Sequence, residues 1–166
     1  MKKVFLVLFF FTSIFSVIAQ EKPRIAVVYL QMTNRQAVNG SGRSYQDMQS
    51  TLDVVLGSIT TDLVKTNKFR VIERSRIDQI IKEQGYQRNQ LSDAQAVNIG
   101  KLLGVDKIIT GEYGETHHPH AYTNWVSVNI RLIDVKTGEI EAAASHRDTN
   151  DFATYLGGDL VKRLFQ

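Results

Sequence analysis

From residue 24 onward the apolar positions fall into runs whose spacing spells out strands and helices. Arg24 to Leu30 reads RIAVVYL, the near-continuous apolar run of a strand buried on both faces. Gln31 to Arg43 is polar and carries Asn39-Gly40-Ser41-Gly42, a loop pattern. Between about Tyr45 and Thr66, six residues share one face of a 3.6-residue period: Met48, Leu52, Val55, Leu56, Ile59 and Leu63. This predicts a long amphipathic helix.

Phe69 to Glu73 predicts a second strand, turning at Arg74-Ser75 into a short helix. Ser75 is placed to accept a hydrogen bond from a free amide there, and Asp78 is expected at the third helical position, near the positive end. Ile77, Ile80 and Ile81 form its apolar stripe, and Gly85 is its stop. Ser92-Asp93-Ala94-Gln95 is a Ser-x-x-Gln capping box for a further helix. That helix is expected to bury Val97 and Leu102, and more weakly Ala94, before ending at Gly104. Val105 to Glu112 predicts another strand, with Asp106 and Lys107 at its mouth.

Trp125 to Asp134 alternates, with Val126, Val128, Ile130 and Leu132 on one side and Ser127, Asn129 and Arg131 on the other. Val135-Lys136-Thr137-Gly138 reads as a hairpin turn, and Glu139 to Ala144 as the returning antiparallel strand. Asp151 to Phe165 predicts a closing helix, weakened at its middle by Gly157-Gly158. The order β-α-β-α-α-β-β-β-α implies an α/β fold, a single mixed β-sheet of about five strands with helices packed on it.

The first nineteen residues belong to a different pattern. Lys2 and Lys3 precede an apolar core from Val4 to Ile18, and Val17 and Ala19 are small residues at the −3 and −1 positions of a cleavage site. The core is short of the about 17–25 apolar residues that span a bilayer. Residues 1–19 are therefore expected to be a cleaved signal peptide and 20–166 a single periplasmic domain. No cysteine follows the core, so a lipid-modified N-terminus is not expected, nor a transmembrane segment in the mature chain.

Removing residues 1–19 takes two lysines and no acid from 20 Lys+Arg and 17 Asp+Glu, which leaves the mature chain close to neutral. The pI of 9.2 then carries little weight, and no basic stripe with interleaved aromatics points to nucleic acid. The absence of cysteine excludes disulfides, thiolate metal sites and cysteine nucleophiles.

Candidate chemistry is sparse. His117, His118 and His120 lie around Pro119, and imidazoles on an extended loop can share a metal. Only Glu115 is nearby as a carboxylate, and a proline-containing surface loop is the better reading. No nucleophile-elbow, phosphate-loop or metalloprotease spacing occurs. Gly111 and Gly114 form a G-x-x-G that reads as a bulge or strand end. Glu73, Arg74, Arg76 and Asp78 can form an ionic network at the strand–helix junction. No catalytic residue and no cofactor are expected.

Four phrases carry a family resemblance: LVKTNKFRVIERSRID, IIKEQGYQ, GKLLGVDKIITGEYG and VNIRLIDVKTGEI. Together they resemble the CsgG family of envelope assembly components, across nearly all of the mature chain. The resemblance implies a compact periplasmic α/β domain, related to the peptidoglycan-synthase activator LpoB and the N-terminal domain of TolB. It implies binding of envelope proteins or self-association rather than catalysis, with any outer-membrane association made through a partner. Transmembrane hairpins need two strands of about 9–11 residues each. The loops Gln31–Arg43 and Thr116–Asn124 are too short to supply one, so no pore is expected.

Overall fold

The computed structural model describes residues 21–33, 45–117, 124–149 and 153–166. The first apolar run is broken where the sequence predicts one strand. β1 is Arg24–Val27 and β2 is Gln31–Met32, both parallel to the same side of β4 (Lys107–His117). The register explains the break. Val27 lies beside Ile109 and Gln31 beside Glu112, so four steps on one strand answer three on the other. The extra residue makes a bulge, which bends the strand and turns carbonyls out of the ladder. Gln31 and Met32, assigned to a loop by polarity alone, are therefore strand; residues 34–43 of that loop lie outside the described residues.

Helix α1 (Tyr45–Thr66) has the predicted bounds, while β3 (Arg70–Val71) is shorter than Phe69–Glu73. Helix α2 (Arg74–Glu83) starts at Arg74, with Glu73 as its N-cap and no side-chain capping bond. Ser75 is thus already helical, and Asp78 sits one turn beyond Arg74 instead of at the third position. A short 3-10 turn, Arg88–Gln90, leads to α3 (Asp93–Leu103). Here the capping box forms as expected, Gln95 N donating to Ser92 Oγ and Ser92 N to Gln95 Oε1, and Gly104 ends the helix at φ 63°.

The buried face of α3 differs from expectation. Ala96, Ile99, Gly100 and Leu103 are buried, whereas Leu102 is 48% exposed, Val97 half-buried and Ala94 exposed. The sheet decides this. A Cβ on Gly100 would lie 2.8 Å from a Val135 methyl and 2.9 Å from one of Ile108, so the helix turns its smallest residue toward the strands.

β4 extends past Glu112 to His117 and pairs along its length with β5 (Asn124–Asp134). β6 (Ile140–Thr149) outlasts the predicted Ala144 by half its length. The last helix, α4, is Ala153–Leu164. The sheet runs β3-β1-β4-β5-β6, with β2 beside β4. β1, β2, β3 and β4 are parallel to one another, and β5 and β6 are antiparallel to their neighbours. The α/β class and the mixed sheet expected from the sequence are what the fold shows.

Two apolar layers flank the sheet. On one face α1 and α4 cover it broadly: Leu52, Val55, Ile59, Leu63, Leu156 and Leu160 bury against Ile25, Val27, Ile109, Tyr113, Val128 and Ile130. Each fully buried aliphatic side chain there is worth about 1.5–3 kcal/mol. On the other face α2 and α3 cover only the region of β1, the start of β4 and the base of β5, through Ala26, Val28, Ile108, Ile133 and Val135.

Gly157 sets the spacing of the first layer. A Cβ there would fall 2.4 Å from the backbone nitrogen of Ile59 and 2.4 Å from Ser58 Oγ, so α4 crosses α1 at backbone contact. The glycine pair is a packing device, which outweighs its cost in helix propensity. Among the described residues no helix is long and apolar enough to cross a membrane.

These two environments generate opposite outcomes for one substitution. Gly157→Ala should lower stability by about 1–3 kcal/mol through overpacking against α1. Gly57→Ala, at an exposed helical site with nothing within 4 Å, should raise it by up to about 1 kcal/mol. Urea unfolding of both variants measures the contrast.

Candidate partner-binding surface

The strand–helix phrase FRVIERSRID resolves into a structural lock. Arg74 Nη1 donates to the carbonyls of Val27 and Val28, both at 3.0 Å, filling the acceptors that the bulge leaves open. Its Nε lies 3.2 Å from Asp78 Oδ1; Arg88 reaches the same carboxylate at 3.7 Å and Asp53 at 3.4 Å. Burial, with Arg88 close by, pulls the Arg74 guanidinium below its usual pKa. The expected network at Glu73, Arg74, Arg76 and Asp78 is thus centred on Arg74 and Asp78 and recruits Asp53 and Arg88 from elsewhere. Asp78 and Arg88 are tied into the fold.

A second knot stands at the start of α3. The Asp93 carboxylate accepts from Tyr29 Oη and from Thr110 Oγ1, each at 3.2 Å, and pairs with Arg131 Nη1 at 3.2 Å. Burial, then the Asp93 charge, raises the Tyr29 pKa, so the hydroxyl stays protonated. Gly111 and Gly114 lie within β4; a Cβ on Gly111 would fall 2.0 Å from the Asn129 carbonyl oxygen. They serve close strand approach inside an unbroken stretch of β4, where the sequence suggested a bulge or strand end.

Beyond Arg131 the second helical layer stops. The face of β4–β6 away from α1 and α4 carries Glu112, Asn129, Arg131, Ala143 and Ser145 around an open hollow of about 330 Å³. Further along, Trp125 is 36% exposed and holds the Arg147 guanidinium 5.3 Å from its ring centre. At the other end Lys107 Nζ bonds Asp134 Oδ2 at 2.7 Å and also pairs with Glu141. Lys107 and the amides of Thr137 and Lys136 hold the Asp134 carboxyl at about 2.

The sheet's two edges are unlike. β3 has two residues; β6 has ten, and none of them is buried. Among the described residues no strand covers the outer side of β6. The strand is clipped to α4 by His146, whose Nδ1 lies 2.5 Å from Asp159 Oδ2, a carboxylate shared with Arg163.

Among the described residues no cluster of His, Cys, Asp or Glu could hold a metal ion. His118 and His120, and the side chain of His117, lie outside the described residues.

Residues 11–115 match the family described as curli production assembly/transport component CsgG. The chain belongs to the CsgG family. Membership places it among envelope-associated proteins of this fold. A search of curated proteins found no match. Among solved structures, the PelC dodecamer from Paraburkholderia phytofirmans is similar at a TM-score of 0.56 and 15% identity, covering 86% of this chain and 87% of that one. The C-terminal domain of LpoB from Salmonella enterica is similar at 0.50 and 12% identity, covering 76% and 82%. A lipoprotein of Neisseria meningitidis is similar at 0.50 and 15%, covering 77% and 80%. At these identities the likeness is one of fold.

In this CsgG-family chain the phrase FRVIERSRID thus holds the sheet together at its bulge. Among the described residues the edge of β6 is the longer of the sheet's two openings. Sequence reading missed Arg74's role because the bulge it serves has no local signature. Arg74→Ala should cost about 2 kcal/mol by leaving two carbonyls without a donor, and Arg74→Lys should recover part of that. Thermal unfolding of the two variants checks the order.

Proposed function

We propose that this protein is an exported, non-enzymatic CsgG-family binding domain of the periplasm. In this reading residues 1–19 direct export and are removed, and the mature chain carries no lipid anchor and no pore of its own. It acts by holding another envelope protein or a further copy of itself, and meets the outer membrane through that partner. The observation that carries the reading is the one-sided covering of β5 and β6. Among the described residues, a sheet layered by α1 and α4 on one face leaves β5 and β6 largely bare on the other, with a ten-residue open edge. Long open edges are templates for association and are retained where a partner covers them. That the PelC chain of similar fold is a dodecamer supports self-assembly as one form of this role.

The likeness to the LpoB C-terminal domain favours a second reading, an accessory that activates a peptidoglycan synthase. Stimulation of a purified synthase by the mature domain would support it, and inertness across the organism's synthases would remove it. A histidine-loop metal protein using His117, His118 and His120 is the reading from another class. Stoichiometric zinc or copper in the untagged mature protein would establish that one.

Cross-linking in intact cells followed by fractionation tests the main proposal. The mature chain, beginning at Gln20, should appear in the periplasm cross-linked to an envelope protein or to itself. A cytoplasmic chain with its first residues intact, or a strict monomer without any envelope partner, would contradict it.

A further inference from the structure

The bare face of the sheet carries a row of polar side chains that the fold leaves unused. Glu112 on β4, Asn129 on β5 and Ser145 on β6 are direct cross-strand neighbours and point to the same side. All three are exposed, and among the described residues none has a side-chain hydrogen-bond partner. They border the hollow of about 330 Å³, a volume at the lower end of small-ligand sites. The hollow opens because Ala143 and Ser145, both small, lie beside Arg131 and Asn129.

Arg131 lines this hollow and is already fixed in place. Its Nη1 lies 3.2 Å from Asp93 Oδ2 and its Nη2 3.4 Å from Asp93 Oδ1. Asp93 is held in turn by Tyr29 and Thr110, which are both buried. A guanidinium has further N–H donors beyond the two used on Asp93, and these remain for a ligand. A group held this way binds without first losing its own freedom.

We propose that the hollow binds one ring of a neutral saccharide chain, whose continuation runs along β5 to Trp125. The saccharide site is additional to the protein-binding role, and the two stand or fall separately.

The chemistry of the row selects this ligand. Glu112 accepts, Arg131 donates, and Asn129 and Ser145 do both. A sugar hydroxyl also donates and accepts, so neighbouring hydroxyls can bridge the row in either sense. Charge works against ionic ligands. Asp93 offsets Arg131, which leaves the Glu112 carboxylate to repel anions, while a cation would meet the Arg131 guanidinium. An apolar segment would find Ala143 as the hollow's one apolar side chain, since Ile130 and Ala144 point into the core on the opposite face. Trp125 shares the bare face four residues from Asn129, about 13 Å at about 3.3 Å per residue. Its exposed ring offers a flat apolar surface to the C–H side of a further sugar ring, with the Arg147 guanidinium beside it.

Nuclear magnetic resonance titration of the labelled mature protein tests the site, with cellotetraose, chitotetraose and the anionic tetragalacturonate as probes. At least one neutral tetrasaccharide should shift Glu112, Asn129, Arg131, Ser145 and the Trp125 indole, and leave α1 and α2 unmoved. It should bind about tenfold or more tighter than its monosaccharide, and Trp125→Ala should remove that advantage. Asn129→Ala and Ser145→Ala together, at two exposed positions, should weaken binding about tenfold. Tetragalacturonate should bind at least about tenfold more weakly than the neutral chain. Melting temperatures establish that each variant is folded. No shift with either neutral tetrasaccharide at about 10 mM overturns the proposal. So does binding that survives the Asn129 and Ser145 substitutions, that the anionic chain shares equally, or that a monosaccharide matches. Each of these results leaves the protein-binding reading, which cross-linking tests, as it was.

Discussion

The backbone contact between α4 and α1 at Gly157 governs the shape of the molecule. Two helices must cover the width of one sheet face, and their separation sets where the second of them lies. With no side chain at Gly157, α4 settles against Ser58 and Ile59 and lies mainly along β6. There it buries Leu156, Leu160 and Val161 with α1's stripe, while the ring of Phe165 meets Phe69 at 4.9 Å beside β3. The β6 residues that face α4, Ala142, Ala144, His146 and Asp148, are half-buried.

On the opposite face the deciding constraint is the bulge between β1 and β2. One extra residue turns the carbonyls of Val27 and Val28 away from the ladder, and buried acceptors must be satisfied. Arg74 does so from the first residue of α2, which fixes that helix beside the bulge and with it the extent of the second layer. α2 and α3 then close over Ala26, Val28 and Ile108 and stop near Ile133. The bare face of β5 and β6 begins where they end.

Much of this was legible in the sequence wherever the signal was local. The α1 stripe from Met48 to Leu63, the Ser92–Gln95 capping box and the alternation from Val126 to Leu132 all report their own surroundings, and the structure agrees with each. What was not legible depends on distant partners. Leu102 is apolar and yet exposed, because the contact of Gly100 with Val135 and Ile108 rotates α3. Gly157-Gly158 reads as a weakness until Ser58 and Ile59 are seen against it. Gln31 and Met32 look like loop because pairing with Glu112 and Tyr113 is set by a bulge that no residue announces. The contact surface was the least legible feature. An open edge is a property of the sheet order.

The central claim is that this CsgG-family domain works through the uncovered rim of its sheet. Amide hydrogen exchange by mass spectrometry, comparing the mature protein dilute and concentrated, addresses it directly. Amides of Ile140–Thr149 should gain protection with concentration while α1 and α2 stay unchanged. Protection that appears on α1 or α2 with β6 unaffected would contradict the account.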